Sequence, residues 1–391
     1  MKNRMLIVAY VNLFLVFLGV GLVIPVLPLL KNEMNFSGTT MGMMVAIFAF
    51  AQLIISPIAG HLSDVFGRKK MIVLGMLLFS LSELMFGWAQ SVEWFYLSRV
   101  IGGASAACIM PSVTAFVADL TTLEERPKAM GYVSAAISGG FIIGPGIGGL
   151  LAVFGTRVPF YAAALMALLG FFCSLFFLKD TPSVVAEEKA TREHKPGMSV
   201  FLEVLMHPLF RAFFIVILIS SFGLQAFESM YSIMATQNFA FTTTEISLMI
   251  MISGSLALVI QIFFFHRIVQ LMGEIRLMQL TFFTSGIFVL VIAMTSQRWL
   301  VVVSTFIVFL SFDLFRPAVT TYLSHHAGSR QGVINGLNST FTSVGNILGP
   351  VLAGMLFDIN PFSPYFVAGI ILLVTGIVSL SLSRRSATVT E

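Results

Sequence analysis

The segment GYVSAAISGGFIIGPGIGGL, residues 131–150, carries no charge and gives six of its last twelve positions to Gly139, Gly140, Gly144, Gly146, Gly148 and Gly149. In water an interior glycine weakens a helix by about 1 kcal/mol, and a proline such as Pro145 by about 3 kcal/mol. A helix built from this segment therefore needs surroundings that hold it helical. Those surroundings are apolar: 57% of the 391 residues are hydrophobic and 10% are charged, against roughly 25% charged in soluble domains. In a bilayer, Gly and Pro are tolerated inside spanning helices, and small residues let two helix backbones approach closely.

Runs long enough to span hydrocarbon, about 17–25 residues each, fall near 5–29, 40–61, 71–90, 95–118, 130–153 and 159–178, then near 209–234, 244–265, 277–296, 299–323, 331–357 and 362–382. None alternates strictly between apolar and polar, so helices rather than barrel strands are expected. The first run follows Lys2 and Arg4, exceeds a signal-peptide core in length and lacks a small-residue cleavage site, so it is expected to remain as a spanning helix. The fold class is an all-α membrane protein of twelve transmembrane helices.

The glycine pattern recurs. Gly131, Gly140, Gly144, Pro145, Gly148 and Gly149 are echoed by Gly336, Gly345, Gly349, Pro350, Ala353 and Gly354 at a constant offset of 205, and Pro111 by Pro317 at 206. Two neighbouring spacings in register imply a duplicated six-helix unit, an arrangement many secondary transporters share. The polar stretch KDTPSVVAEEKATREHKPGMS, residues 179–199, separates the copies. The expected domains are a first bundle at 1–178, a linker at 179–207 and a second bundle at 208–391.

Lys and Arg set the orientation. With the N-terminus cytoplasmic, seventeen basic residues lie in inner loops and tails, and only Lys31, Arg157 and Arg298 lie outside. Both termini are expected in the cytoplasm. The net charge of +4 reflects this bias, so nucleic acid is not an expected partner. Cys108 and Cys173 fall within spans and are read as two buried small residues rather than a disulfide.

Several segments carry a family resemblance. GHLSDVFGRKK (60–70) resembles the loop between helices two and three of the major facilitator superfamily, LSRVIGGASAA (97–107) its helix-four arginine motif, and the helix-five glycines the motif of its antiporters. GLVIPVLP (21–28), FESMYS (227–232), FDLFRPAVT (312–320) and GLNSTFTSVGN (336–346) are similar to twelve-helix drug:proton antiporters, in particular NorA-type quinolone and multidrug efflux pumps of Gram-positive bacteria. The resemblance covers essentially the whole chain. It implies proton-driven export of drug-like compounds by a protein of the plasma membrane. It also implies a cytoplasmic gate of Asp64, Arg68 and Asp119 around the turn residue Gly67. The matching segment HRIVQLMGEIR (266–276) has Gln270 where Asp64 maps, so the halves are not expected to be equivalent.

Ionisable groups inside apolar runs are functional candidates by default; here they are Glu83, Arg99, Glu228, Asp313 and Arg316. Glu228 shares a helical face with Ser221, Gln225 and Ser232, and no base lies in that stripe. Transfer out of water favours a neutral carboxyl, so Glu228 is the expected proton carrier. Asp313 and Arg316, three apart, can meet on one face, which leaves Asp313 as a second carrier or as the partner of Arg316. Arg99 matches the motif arginine, for which the resemblance implies a role in proton coupling; a structural partnership with Glu83 or backbone carbonyls is the alternative. Glu83 is assigned no role.

Candidate drug contacts come from stripes that mix apolar surface with hydrogen-bonding groups: Phe48 and Gln52; Ser138 and Phe141; Asn338, Thr342 and Asn346. Phe17, Tyr231, Phe309 and Phe312 join them by position and resemblance. With 39 Phe and 22 Met, a broad apolar pocket is easily built, and aromatic faces attract cations. Gly144, Pro145 and Gly148 are the candidate conformational element, packed where the two halves meet. No GxxxxGK[ST] phosphate loop, HExxH or CxxC pattern occurs, so no cofactor, metal or catalytic residue is expected. The partners are small-molecule drugs, protons and lipid, and a monomer is expected. The rival reading is a proton-coupled transporter of a sugar or other small metabolite.

Overall fold

The computed structural model describes residues 2–122, 124–179, 203–206, 208–326 and 331–387. Twelve helices among them are long and apolar enough to cross a bilayer. They are α1 (Lys2–Met34), which passes through a 3-10 turn at Ile24–Val26, then α2 (Gly38–Phe66), α3 (Arg68–Trp88), α4 (Val92–Leu120), α5 (Arg126–Ala152) and α6 (Val158–Phe177). The second set is α7 (Pro208–Phe239), α8 (Thr243–Phe263), α9 (Glu274–Met294), α10 (Arg298–His326), α11 (Gln331–Ile359) and α12 (Ser363–Ala387). A short helix, Phe265–Met272, precedes α9. No strand occurs among the described residues. Of the linker expected at 179–207, residues 180–202 and 207 lie outside them.

The glycine-rich segment is one uninterrupted helix with Pro145 inside it. Pro57, Pro111, Pro317 and Pro350 likewise sit within helices. Each removes one backbone donor, a loss that a neighbouring side chain can offset.

The helices form two compact units. One comprises Met1–Phe36, Met43–Glu193 and Thr242–Met251; the other comprises Ser37–Gly42, His194–Phe241 and Ile252–Glu391. Within the first, α1 packs on α5 and α6, and α3 packs on α4 and α6. Within the second, α7 packs on α11 and α12, and α9 packs on α10 and α12, which is the same scheme six helices on. Backbone details repeat at the offsets of 205 and 206 seen in the sequence. Asn35 and Ala240 have φ of 52° and 53°, and Gly67 and Gly273 have φ of 99° and 78°.

The first core gathers Leu13, Phe79, Ile109 and Phe116. Its buried Asn12 donates to Ser174 Oγ at 2.7 Å, which ties α1 to α6. Large apolar side chains such as Leu165, Phe176, Ile262 and Ile370 are exposed, as a lipid-facing surface requires. Both cysteines are free, but only Cys108 is buried. The expectation for Cys173 is corrected: it lies on an outward face of α6, where a small polarizable side chain is at ease in lipid.

Candidate functional site

In the second unit, the polar stripe of α7 forms as the helical spacing requires. Glu228 is half-buried and accepts a hydrogen bond from Gln225 Nε2 at 3.1 Å, three residues earlier. Asp313 and Arg316 on α10 both act electrostatically on Glu228. The pairing considered for Asp313 and Arg316 does not form: no ion pair joins them within 4 Å among the described residues. Arg316 is exposed and turns instead into a cavity of about 140 Å³. Phe312, Gln225 and the α11 stripe Asn338, Thr342 and Asn346 line the same cavity.

Two expected drug contacts lie elsewhere. Tyr231 is fully buried, and Phe309 is nearly so. Their rings meet edge to face at 5.9 Å and join Phe227 and Tyr365 in an aromatic cluster of the core. The Tyr231 hydroxyl accepts a hydrogen bond from Thr305 at 3.0 Å. A helical-face argument cannot separate them from Phe312, because all three lie near the stripe; tertiary packing decides.

Gln261 escaped the sequence reading. Its amide donates to the carbonyl of Asp313 at 2.9 Å. That carbonyl lies four residues before Pro317, whose missing N–H leaves it without its helical partner. The signal was present in the sequence as a proline four positions after a candidate acid.

In the first unit, Arg99 Nη2 donates to Glu83 Oε1 at 3.0 Å, and both side chains are buried. The guanidinium carbon lies 4.1 Å from the Phe86 ring centroid and 6.0 Å from that of Phe48. Glu83, offered from the sequence as one alternative partner of Arg99, is that partner. Phe17 and Phe141 pack with centroids 4.9 Å apart. Ser138 is part-buried one turn before Phe141, and Gln52 is part-buried one turn after Phe48.

The three gate candidates come together around Gly67. Its positive φ lets α3 start at Arg68 immediately after α2 ends. Arg68 is 5% exposed and contacts Asp64 at 2.5 Å, Asp119 at 3.3 Å and Ser63 Oγ at 3.2 Å. One guanidinium therefore joins the ends of α2, α3 and α4. Nearby, Lys2 donates to Glu125 and holds that carboxyl below the usual carboxylate range.

The α5 glycines divide between two neighbours. A Cβ on Gly144 would lie 2.6 Å from the Leu18 carbonyl oxygen, and one on Gly148 would lie 2.5 Å from that of Leu22. These residues and Pro145, whose ring faces Gly21, pack on α1. The expected packing against the second six-helix half falls to other glycines of the same stretch, Gly146 and Gly149, which meet residues of α8. The helical spacing of four aligns Gly140, Gly144 and Gly148 on one face, and within this unit α1 fills that face. Gly146 and Gly149 turn the other way, toward Met251 and Ser247 of the same unit.

The Major Facilitator Superfamily profile matches residues 9–235 and 213–390. The chain is 48% identical over 376 residues to "Multidrug resistance protein 2" of Bacillus subtilis (strain 168), covering 95% of this chain and 94% of the relative. It is 38% identical to "Quinolone resistance protein NorA" of Staphylococcus aureus (strain COL), covering 98% of each. Among solved structures, the nucleoside transporter NupG aligns with a TM-score of 0.78 at 14% identity, covering 100% of this chain and 99% of that one. A bacterial homologue of the human lysosomal transporter Spinster, inward-facing and occupied, aligns with a TM-score of 0.79 at 14% identity, covering 98% and 97%. These two show the fold alone. The full-length matches, with the duplicated six-helix scheme, make this chain a multi-pass membrane protein that belongs to the Major Facilitator Superfamily.

Proposed function

We propose that this protein is a proton-coupled multidrug efflux antiporter, which exports apolar and often cationic compounds such as fluoroquinolones and dyes by alternating access. The observation that carries this reading is full-length similarity to multidrug and quinolone resistance proteins. Two half-buried carboxyls on α7 and α10, helices that also line a cavity in the second unit, supply the means. Glu228 is the principal proton carrier, because its hydrogen bond comes from an uncharged amide and, among the described residues, no ion pair holds it in the charged form. Asp313 is the second carrier, and Arg99 and Arg316 are the charges that coupling acts upon.

Asp64, Gly67, Arg68 and Asp119 form the gate. Gly144, Pro145 and Gly148 allow α5 to slide against α1. Phe17, Phe48, Gln52, Ser138, Phe141, Phe312, Asn338 and Asn346 contact drug. The protein works as a monomer in the plasma membrane with both termini in the cytoplasm.

The test is drug-dependent proton movement in proteoliposomes under an imposed pH gradient. Glu228→Gln keeps size and hydrogen bonding but cannot exchange a proton, so coupled movement should vanish while neutral-drug binding survives. Coupling at the parental ratio in this variant would remove Glu228 as the carrier. If dye and fluoroquinolone accumulation in cells is unaffected by the protein while a sugar or metabolite moves, the metabolite-transporter reading replaces this one.

A further inference from the structure

We infer that Asp358 is a positioning residue for transport: its carboxylate, at the end of α11, clasps the first turn of α2, so that the outer face rests closed. The inference rests on alternating access and adds the group that sets its resting state.

The first turn of a helix leaves backbone N–H groups without helical partners and attracts an anion. In α8 the chain meets this need locally. Thr242 Oγ1 accepts a hydrogen bond from the Glu245 amide at 3.2 Å, and the Glu245 carboxylate accepts one from the Thr242 amide at 2.7 Å, a reciprocal capping box. In α2 half of that box is present: Ser37 Oγ accepts from the Thr40 amide at 3.0 Å, but Thr40 has no carboxylate to complete it. The acid comes from α11 instead. Asp358 Oδ1 accepts from the Gly38 amide at 2.5 Å, and Oδ2 accepts from the Thr39 amide at 2.9 Å and the Thr39 hydroxyl at 2.6 Å.

The two backbones are shaped for this contact. A Cβ on Gly38 would lie 2.8 Å from the Gly354 carbonyl oxygen, and one on Gly42 would run into the Pro350 carbonyl. Residues 37–42 accordingly cluster with α11 in the second unit, whereas the remainder of α2 belongs to the first. The duplicated position offers no acid: 205 residues earlier the chain carries Val153, which is 72% exposed. The two copies are therefore unequal. When the protein opens outward, α2 gives up its anion on leaving α11, whereas α8 keeps its own on leaving α5. Outward opening thus carries a cost that falls on α2 alone, and the closed arrangement is favoured at rest.

The experiment measures the separation of spin labels at Asn32→Cys, near the end of α1, and Ile359→Cys, the last residue of α11, both exposed. The sample is the purified full-length protein in nanodiscs, without substrate, with Cys108 and Cys173 replaced. Asp358→Asn sets an amide NH2 against a backbone N–H and removes the charge. The ratio of wide to narrow separations should then rise roughly tenfold, because hydrogen bonds to a charged group are lost. Asp358→Glu, which keeps the charge on a longer arm, should lie between. Gly38→Ala keeps the acid but parts the backbones, so it should shift the ratio in the same direction. Thr40→Glu added to Asp358→Asn gives α2 a capping box of its own; it should restore the melting temperature and leave the wide population in place. Restoration of both would make Asp358 a cap and overturn the clasp, as would a parental separation in Asp358→Asn. The separation is read without substrate, so it tests the clasp independently of ethidium accumulation in cells; accumulation that the protein leaves unchanged overturns the efflux reading alone.

Discussion

Arg99 shows what a charge within a span requires. Its guanidinium is held by Glu83 and covered by the Phe86 ring, so its cost in apolar surroundings is offset by an ion pair and a cation–π contact. The arrangement is incomplete, because Glu83 Oε2 and Arg99 Nε are buried without hydrogen-bond partners among the described residues. Glu83→Gln leaves Arg99 as an uncompensated buried charge, a defect of about 3–5 kcal/mol. Thermal melting in detergent should show a marked loss for Glu83→Gln and a substantial recovery for the double change Glu83→Gln with Arg99→Met. Equal stability of the single variant and the parent would mean that the pair does not hold the helices. The same residues show where sequence reading stops. Charges in apolar runs are few, so every important one was visible. Their pairing was visible only as alternatives, because Glu83 and Arg99 meet across two helices, whereas the local pair of Asp313 and Arg316 turns apart.

At the scale of a helix, the α5 glycines are explained by backbone approach rather than by flexibility alone. Gly140, Gly144 and Gly148 face backbone atoms of α1, with Leu18 N lying 2.7 Å from a Cβ placed on Gly140. On α11, Gly345 and Gly349 meet Ser221, Leu218 and Phe222 of α7 in the same way. Gly144→Val or Gly148→Val should therefore yield poorly transporting protein with α1 displaced. Gly131→Ala, where nothing lies within 4 Å, should be neutral or slightly stabilising, by up to about 1 kcal/mol. Parental dye efflux by both valine variants would return the motif to simple tolerance of glycine in lipid. A second helix-level expectation concerns Gln261: its loss in Gln261→Leu leaves the Asp313 carbonyl without a donor, at a cost of about 1–3 kcal/mol. The melting temperature should fall, and Gln261→Glu, which donates only when protonated, should restore stability only in acid. Helices and their spacing were legible from composition and period. Which neighbour fills a given face was not, since a stripe of small residues fits any helix that comes close.

For the molecule as a whole, duplication and topology are linked. The offset of 205 that joins the two glycine motifs also joins the left-handed residues Asn35 and Ala240, and the segments 37–42 and 242–251 that each cluster with the opposite set of helices. Gly354 packs against Gly38 and Thr39 in one unit, as Gly149 packs against Thr243 and Ser247 in the other. The chain thus repeats its packing devices as well as its helices. Because each copy has six spans, an even number, both copies enter the membrane from the same side, and both termini and the linker share that side. The Lys and Arg bias is the ground on which the cytoplasm is proposed for that side. Single cysteines test this directly, provided that exposed Cys173 is first replaced along with Cys108. Ala190→Cys in the linker should be protected from a membrane-impermeant thiol reagent in intact cells and labelled after lysis. Ser296→Cys, exposed between α9 and α10, should be labelled in both. Labelling of residue 190 in intact cells would invert the topology and with it the direction in which every proton and drug is proposed to move.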